Sequence, residues 1–264
     1  MIKQKEQISD TKKEFNFMSS SIISQVSRGI LVGIFAGVVV GAFRFLIEKS
    51  FHLVQAAYVM GRSEWIWLVG LLFLYAFIVF INARLVASEK DIKGSGIPQV
   101  EAELKGLMSL SWWSILWKKF LIGILAISSG LMLGREGPSI QLGAMSGKGI
   151  SKWLNLSPVE ERALIASGAA AGLAAAFNAP IAGLLFVVEE VYHHFSRFFW
   201  VSTLAASLVA NFISLSIFGL TPVLDMPDNI PFMGLEQYWI YILMGLFLGL
   251  AGFVYEKAVL NIHL

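Results

Sequence analysis

The sequence has no cysteine among its 264 residues, and only 14% of its residues are charged. Without cysteine the chain can form no disulfide, no thiolate metal site and no cysteine nucleophile. The histidines do not have the spacing of metal ligands, and the adjacent pair His193 and His194 is expected at a membrane interface. Paired aspartates are also missing, so the composition argues against an enzyme and implies no cofactor.

The charge balance excludes a second class of partner. The net charge of +2 is small, and the lysines and arginines are dispersed along the chain rather than grouped. A nucleic-acid-binding protein needs a concentrated basic surface. We therefore expect no nucleic-acid partner.

Apolar residues, in contrast, are abundant. They make up 56% of the chain, and the mean hydropathy is +0.71, which is far above the range of soluble domains. The sequence predicts an integral membrane protein in the lipid bilayer. The apolar or small-residue segments expected as helices are 22–47, a span that follows Trp65 and Trp67 and ends near residue 83, 112–133, 139–154, a helix that begins at Pro158, 198–218 and the stretch that begins at Tyr238.

The basic residues predict how the chain is oriented. The polar arm over residues 1–21 is rich in lysine, and a second basic group follows the second apolar segment, from Arg84 to Lys119. Cytoplasmic loops carry an excess of lysine and arginine. We therefore expect a multi-pass protein of the cell membrane with a cytoplasmic N-terminus.

A charged pair interrupts the apolar sequence near its middle. Arg135 and Glu136 lie between Gly134 and Gly137, and Pro138 follows. Ionisable side chains in hydrocarbon are costly and commonly mark ion pathways, although a structural ion pair between Arg135 and Glu136 is an alternative. Pro138 suits the first turn of a helix, whose N-terminus attracts anions, including the Glu136 carboxylate.

Two other segments repeat this pattern of glycine, polar group and proline. Gly94–Pro98 places Ser95 before a predicted helix, where its hydroxyl could either cap the helix or contact an anion. Phe177–Gly183 separates a small-residue helix from one that ends at Glu189 and Glu190. Adjacent helical residues point about 100° apart, so we expect only one of these two carboxylates to face the interior. Three such breaks predict broken helices that converge on one site.

Together, these three segments resemble the signature segments of the CLC family of chloride channels and chloride/proton antiporters. Their order and spacing are also similar, and the resemblance covers the chain from the first apolar segment onward. It implies an all-α fold with two inverted halves in each subunit. It further implies a homodimer in which each subunit has its own anion path.

The resemblance also implies specific roles. Ser95 corresponds to the serine that contacts the central chloride, and Glu136 to the glutamate that gates the path and exchanges protons. Glu190 corresponds to the internal glutamate that relays protons from the cytoplasm, and Lys119 to a buried basic residue. The chloride-binding residues implied are Ser95, Gly96, Ile97, Pro98, Arg135, Glu136 and Gly137.

The anion-binding phenylalanine segment and the tyrosine of the family's second half have no counterpart in this sequence. We therefore expect a cytoplasmic arm over 1–21, a first transmembrane repeat over 22–235 and the first helix of a truncated second repeat over 236–264. The function implied is chloride/proton exchange that needs the missing half, with chloride and protons as the transported ions. Such a chain would be a fragment or one part of a split transporter.

Two alternatives stay open. One is a passive, voltage-gated type of chloride channel of the same family, against which the presence of Glu190 argues. The other is a non-transporting fragment or assembly partner. A fluoride exporter is disfavoured because Ser95 and the Gly134–Pro138 segment follow the chloride pattern.

Overall fold

The computed structural model describes residues 2–62, 64–131, 133–192, 197–220 and 234–262. These residues form helices and connecting turns without any strand, which confirms the predicted all-α fold. The predicted interfacial histidines His193 and His194, together with His263, lie outside the described residues. The helices are α1 (Ile2–Gly61), α2 (Trp65–Ser88), α3 (Ile97–Leu104), α4 (Trp112–Ser128), α5 (Glu136–Trp153), α6 (Pro158–Phe177), α7 (Pro180–Phe186), α8 (Arg197–Phe218) and α9 (Trp239–Ile262).

The chain divides into two units, Met1–Val223 and Leu224–Leu264. The first contains α1 to α8, and the second contains a short 3-10 turn, Leu235–Gln237, followed by α9. Most of the predicted polar loop at 221–234 lies outside the described residues.

Three helix ends lie well away from the predicted ones. The second segment is predicted to end near residue 83, but α2 continues to Ser88. The first helix was expected to end near residue 47, but α1 continues to Gly61 because residues 48–60 contain neither glycine nor proline and therefore nothing that stops a helix. The segment predicted to run to residue 133 ends at Ser128. There the hydroxyl of Ser129 donates back to the carbonyl of Ala126, and Gly130 has φ +85°.

Four of the described helical segments are long and apolar enough to cross a membrane. They are Ile22–Gly61, Trp65–Ser88, Phe199–Phe218 and Leu235–Asn261. Membrane spans require about 20 predominantly apolar residues, a length that each of them reaches. The prediction of a membrane protein is therefore supported by helix length as well as by composition.

Small residues bring the helices of the first unit close together, as predicted. On α5 and α6, a side chain on Gly143 would overlap the carbonyl of Gly168. Along α1, Gly33 packs against Ala206 of α8 in the same way. Because apolar side chains gain little from leaving lipid, such close backbone contact is what holds membrane helices together.

The N-terminus of α6 forms as the sequence predicts. Ser157 is its cap: its hydroxyl accepts the Glu160 amide at 3.5 Å, and the Glu160 carboxylate accepts the Ser157 amide at 3.1 Å. Arg28 of α1 donates to the same carboxylate. This reciprocal capping satisfies two backbone donors that would otherwise lack partners at the helix end.

Candidate anion site

A cavity of about 590 Å³ opens where two helices begin. The residues before and at the start of α3 form one side, the start of α5 forms another, and α2 and α4 complete the wall. Most of the wall is apolar. The polar side chains that line it are Asn82, Lys93, Ser95, Lys119 and Glu136.

Lys119 anchors the turn that leads into α3. Its side chain is 2% exposed, and its ammonium group donates to the carbonyl of Ile92 at 3.0 Å and to that of Gly94 at 2.7 Å. Such burial agrees with the buried basic residue that the resemblance implies at this position. The ammonium is buried because these carbonyls replace its water.

Ser95 lies exposed at the cavity. Its Oγ accepts the amide of Ile97, the first residue of α3, at 3.3 Å, so the proton of the hydroxyl stays available to a ligand. Gly96, between them, has φ +92° and packs directly against Gln141. Both the left-handed conformation and the contact favour glycine at this position.

Gly137 allows the N-terminus of α5 to lie against the Ser95 turn. A Cβ on this residue would lie 2.5 Å from the carbonyl oxygen of Ser95, so the backbones of α5 and of the Ser95 turn are in direct contact. The N-termini of α3 and α5 therefore lie at one cavity. Each carries a partial positive charge, which favours an anion.

Glu136 is the first residue of α5, two residues earlier than the start implied by placing Pro138 at the first helical position. Its side chain is exposed and lines both this cavity and a second one of about 470 Å³. Among the described residues, none donates a hydrogen bond to its carboxylate. Glu136 thus lies at the boundary between the two cavities.

Arg135 lines the second cavity. Its guanidinium lies 3.5 Å from the carboxylate of Glu48, which also accepts from Arg44 at 3.0 Å. The ion-pair partner of Arg135 is therefore Glu48 of α1 and not the neighbouring Glu136. The sequence predicts a first helix that ends near residue 47, before Glu48, and therefore does not predict this contact.

The third helix break, Phe177–Gly183, lies mostly outside the two cavities. Phe177 lines the second cavity, but Ala179 and Pro180 line neither cavity. Asn178 ends α6 at φ +55°, and its side-chain oxygen accepts from Arg44 at 3.4 Å and from Ser214 at 3.0 Å. The prediction that all three breaks converge on one site is therefore wrong for the third break. These polar contacts hold it beside α1 and α8.

Of the other residues predicted for the site, only some line a cavity. Ile97 lines the first cavity with Ser95, Glu136 and Gly137, whereas Gly96 and Pro98 do not. Glu189 and Glu190 lie in a π-helical turn, Val187–Tyr192; both are exposed and neither lines a cavity. Within the described chain, the expectation that one of the two faces the interior is not met, because both side chains are exposed.

These features define a class of membrane protein in which broken helices direct their N-termini at a small ion. The family model described as voltage gated chloride channel matches residues 76–263. The chain belongs to this family, which confirms the resemblance seen in the three segments.

Several relatives are similar to the chain over most of its length. The H(+)/Cl(-) exchange transporter ClcA of Vibrio vulnificus strain YJ016 is 34% identical over 95% of this chain and 54% of its own. The ClcA of Vibrio cholerae strain M66-2 is 35% identical over 94% of this chain and 54% of its own. The chain thus spans about half the length of these curated relatives.

Solved structures agree with the fold. The crystal structure of a slow cyanobacterial Cl-/H+ antiporter superposes with a TM-score of 0.78 at 29% identity, over 88% of this chain and 56% of that one. A CLC-type fluoride/proton antiporter superposes with a TM-score of 0.68 at 21% identity, over 87% of this chain and 55% of that one. The second likeness concerns the fold alone.

Proposed function

We propose that the protein takes part in exchange of chloride for protons across the cell membrane. The observation that carries this proposal is the joint lining of one cavity by Ser95, at the start of α3, and Glu136, at the start of α5. Relatives named as H(+)/Cl(-) exchange transporters support it. The role is transport, without catalysis.

Chloride would bind between the two helix starts. Amides at the N-termini of α3 and α5, and the hydroxyl of Ser95, can donate to the ion, with Ile97 and Gly137 in the same wall. Gly96 and Pro98 shape the turn from behind. Because these donors carry only partial charges, binding stays weak enough for the ion to leave.

Glu136 would act as the gate. Its carboxylate mimics an anion at a helix N-terminus, so it competes with chloride while it is ionised and withdraws after protonation. Arg135, in the wall of the second cavity, would attract anions toward the gate. Competition of this kind couples the movement of one ion to that of the other.

Glu190 would deliver protons from the cytoplasmic side, with the N-terminal arm on that side as well. Its exposure on the described chain is compatible with access from water. The complete transporter would be a homodimer with a second inverted half in each subunit. The division into an arm (1–21), a first repeat (22–235) and the start of a second repeat (236–264) belongs to the same proposal.

The test is reconstitution in liposomes, with chloride efflux and internal pH recorded together. Two proteins are compared: the 264-residue chain, and a chimaera in which it is joined to the part of Vibrio vulnificus ClcA that it does not cover. We expect the chimaera to move chloride and protons in opposite directions. Glu136→Ala should leave chloride flux intact and abolish coupled proton movement, whereas Glu64→Ala, outside both cavities, should change neither.

Retained accumulation of chloride driven by a pH gradient in Glu136→Ala would contradict the gate. Chloride flux without proton movement in the unmutated chimaera would favour the passive channel of the same family. Coupled flux from the 264-residue chain alone would show that it needs no partner half.

A further inference from the structure

The turn that leads into α3 is held at three consecutive carbonyls. The Lys119 ammonium donates to the carbonyls of Ile92, at 3.0 Å, and Gly94, at 2.7 Å. The side-chain amide of Gln99 donates to the carbonyl between them, that of Lys93, at 3.0 Å. Side chains from α4 and α3 therefore fix the backbone that carries Lys93.

Lys93 lies exposed in the wall of the first cavity, two residues before Ser95. Among the described residues, none forms an ion pair with its ammonium group or accepts a hydrogen bond from it. The other lysine of this wall, Lys119, is 2% exposed and is committed to two backbone carbonyls. The lysine side chain is a flexible stem that carries a compact charge. Lys93 is therefore the cation of this wall that can turn toward a ligand.

The two cavities differ in the net charge of their walls. Lys93 and Lys119 line the first together with Glu136, which makes two positive charges and one negative charge when Glu136 is ionised. The second is lined by Arg135, Glu48 and Glu136, which makes one positive charge and two negative charges. An anion is therefore favoured in the first cavity. Without Lys93, the wall of that cavity would carry no net charge.

We propose that Lys93 is an anion-capture residue, whose ammonium group attracts chloride to the site between the starts of α3 and α5. This inference rests on the proposed function, since it adds a charged residue to the same anion site. A cleft lined by one sign of charge raises the local concentration of the opposite ion and the rate at which that ion arrives. An exposed ammonium group stays hydrated, so it attracts chloride without preventing release.

The chain offers a matched control for this residue. Lys90 lies three positions earlier and is also exposed, but it lines neither cavity. Lys93→Met and Lys90→Met therefore make the same chemical change, at the first cavity and away from it. Both leave the backbone carbonyls of the turn in place. Lys93→Arg keeps the charge, and Lys93→Glu reverses it.

The experiment measures thermal unfolding of the purified 264-residue chain in detergent, with sodium chloride replacing sodium gluconate at constant ionic strength. A ligand that binds only the folded state raises the melting temperature. Lys93→Met should need about fivefold more chloride than the unmutated chain for the same rise, and Lys93→Glu should show no rise. Lys90→Met and Lys93→Arg should behave as the unmutated chain does.

Ionic strength provides a second measurement, which a purely structural role of Lys93 would not affect. The Debye length falls from about 10 Å at 0.1 M salt to about 3 Å at 1 M. We therefore expect the difference between Lys93→Met and the unmutated chain to disappear when the total salt is raised from about 0.1 M to about 1 M. A difference of the same size at both salt concentrations would contradict capture by charge.

The outcomes separate the two proposals. If chloride stabilises Lys93→Met and the unmutated chain at the same concentrations, Lys93 does not capture the ion, while the anion site stands. If chloride stabilises none of the proteins, this chain holds no anion site of its own, and both the assignment of Lys93 and the proposed chloride site on these residues fail.

Discussion

Gly137 is in direct backbone contact with Ser95: a Cβ on Gly137 would lie 2.5 Å from the Ser95 carbonyl oxygen and 2.6 Å from its Cβ. The two residues are 42 positions apart and begin different helices. No side chain separates them, so the positions of the Ser95 hydroxyl and the Glu136 carboxylate are linked through the backbone. The spacing of the two helix starts therefore depends on this one glycine.

Replacement of Gly137 by alanine should destabilise the protein. Alanine favours a helix over glycine by about 1 kcal/mol, but the added methyl group must push the Ser95 turn away, at a cost of about 1–3 kcal/mol. The measurement is thermal unfolding in detergent. Gly134→Ala is the control, because a Cβ there meets nothing within 4 Å; equal melting temperatures for the two variants would contradict this account.

Loss of the Lys119 ammonium should loosen the turn before α3. Lys119→Met keeps the length and the apolar part of the side chain but leaves the carbonyls of Ile92 and Gly94 without their donor. We expect a loss of about 2–4 kcal/mol in unfolding free energy, with faster hydrogen exchange in the turn. The adjacent Lys118→Met, whose ion pair with Glu89 is long at 4.0 Å, should cost less than 1 kcal/mol.

Lys148 of α5 and Glu103 of α3 form a buried ion pair, whose contribution to the unfolding free energy can be measured. Both side chains are under 10% exposed, Glu103 also accepts the Leu110 amide at 3.1 Å, and Lys148 donates to the Leu110 carbonyl at 2.6 Å. Either Glu103→Leu or Lys148→Met alone should cost about 3–5 kcal/mol, because a charge is left buried without its partner. The double variant should recover part of that loss in a double-mutant cycle; strictly additive losses would show that the pair is not coupled.

The adjacent carboxylates Glu189 and Glu190 should differ in their effect on proton movement. In the chimaera, Glu190→Gln should stop proton movement and leave chloride flux in place, because the amide keeps the shape but cannot titrate within the working pH range. Glu189→Gln is the matched control and should transport both ions. The assignment of the relay to Glu190 is wrong if the effects of the two substitutions are reversed.

The parts of the site that depend on local chemistry were predictable from the sequence. Glycine, a polar residue and proline at Gly94–Pro98 and Gly134–Pro138 require a break followed by a helix start, and both helices begin within these segments. Ser157 before Pro158 likewise predicts the cap of α6. These features need only neighbouring residues.

The parts that depend on distant contacts were not predictable. Nothing in the sequence near Glu48 shows that it pairs with Arg135, 87 positions away. Ser95 and Glu136 are 41 positions apart, and only the folded chain brings both to the wall of one cavity. The third break was expected at the same site, but contacts from Arg44 and Ser214 to Asn178 hold it elsewhere.

Because Glu136 lines both cavities, its carboxylate can pass from one to the other by rotation about its own side-chain bonds. Such rotations take picoseconds to nanoseconds at exposed positions. A movement this fast cannot limit the turnover of an exchanger. In the proposed exchanger the slow step would then lie elsewhere in the cycle, in the arrival of protons or in the binding and release of chloride, and not in the swing of the gate.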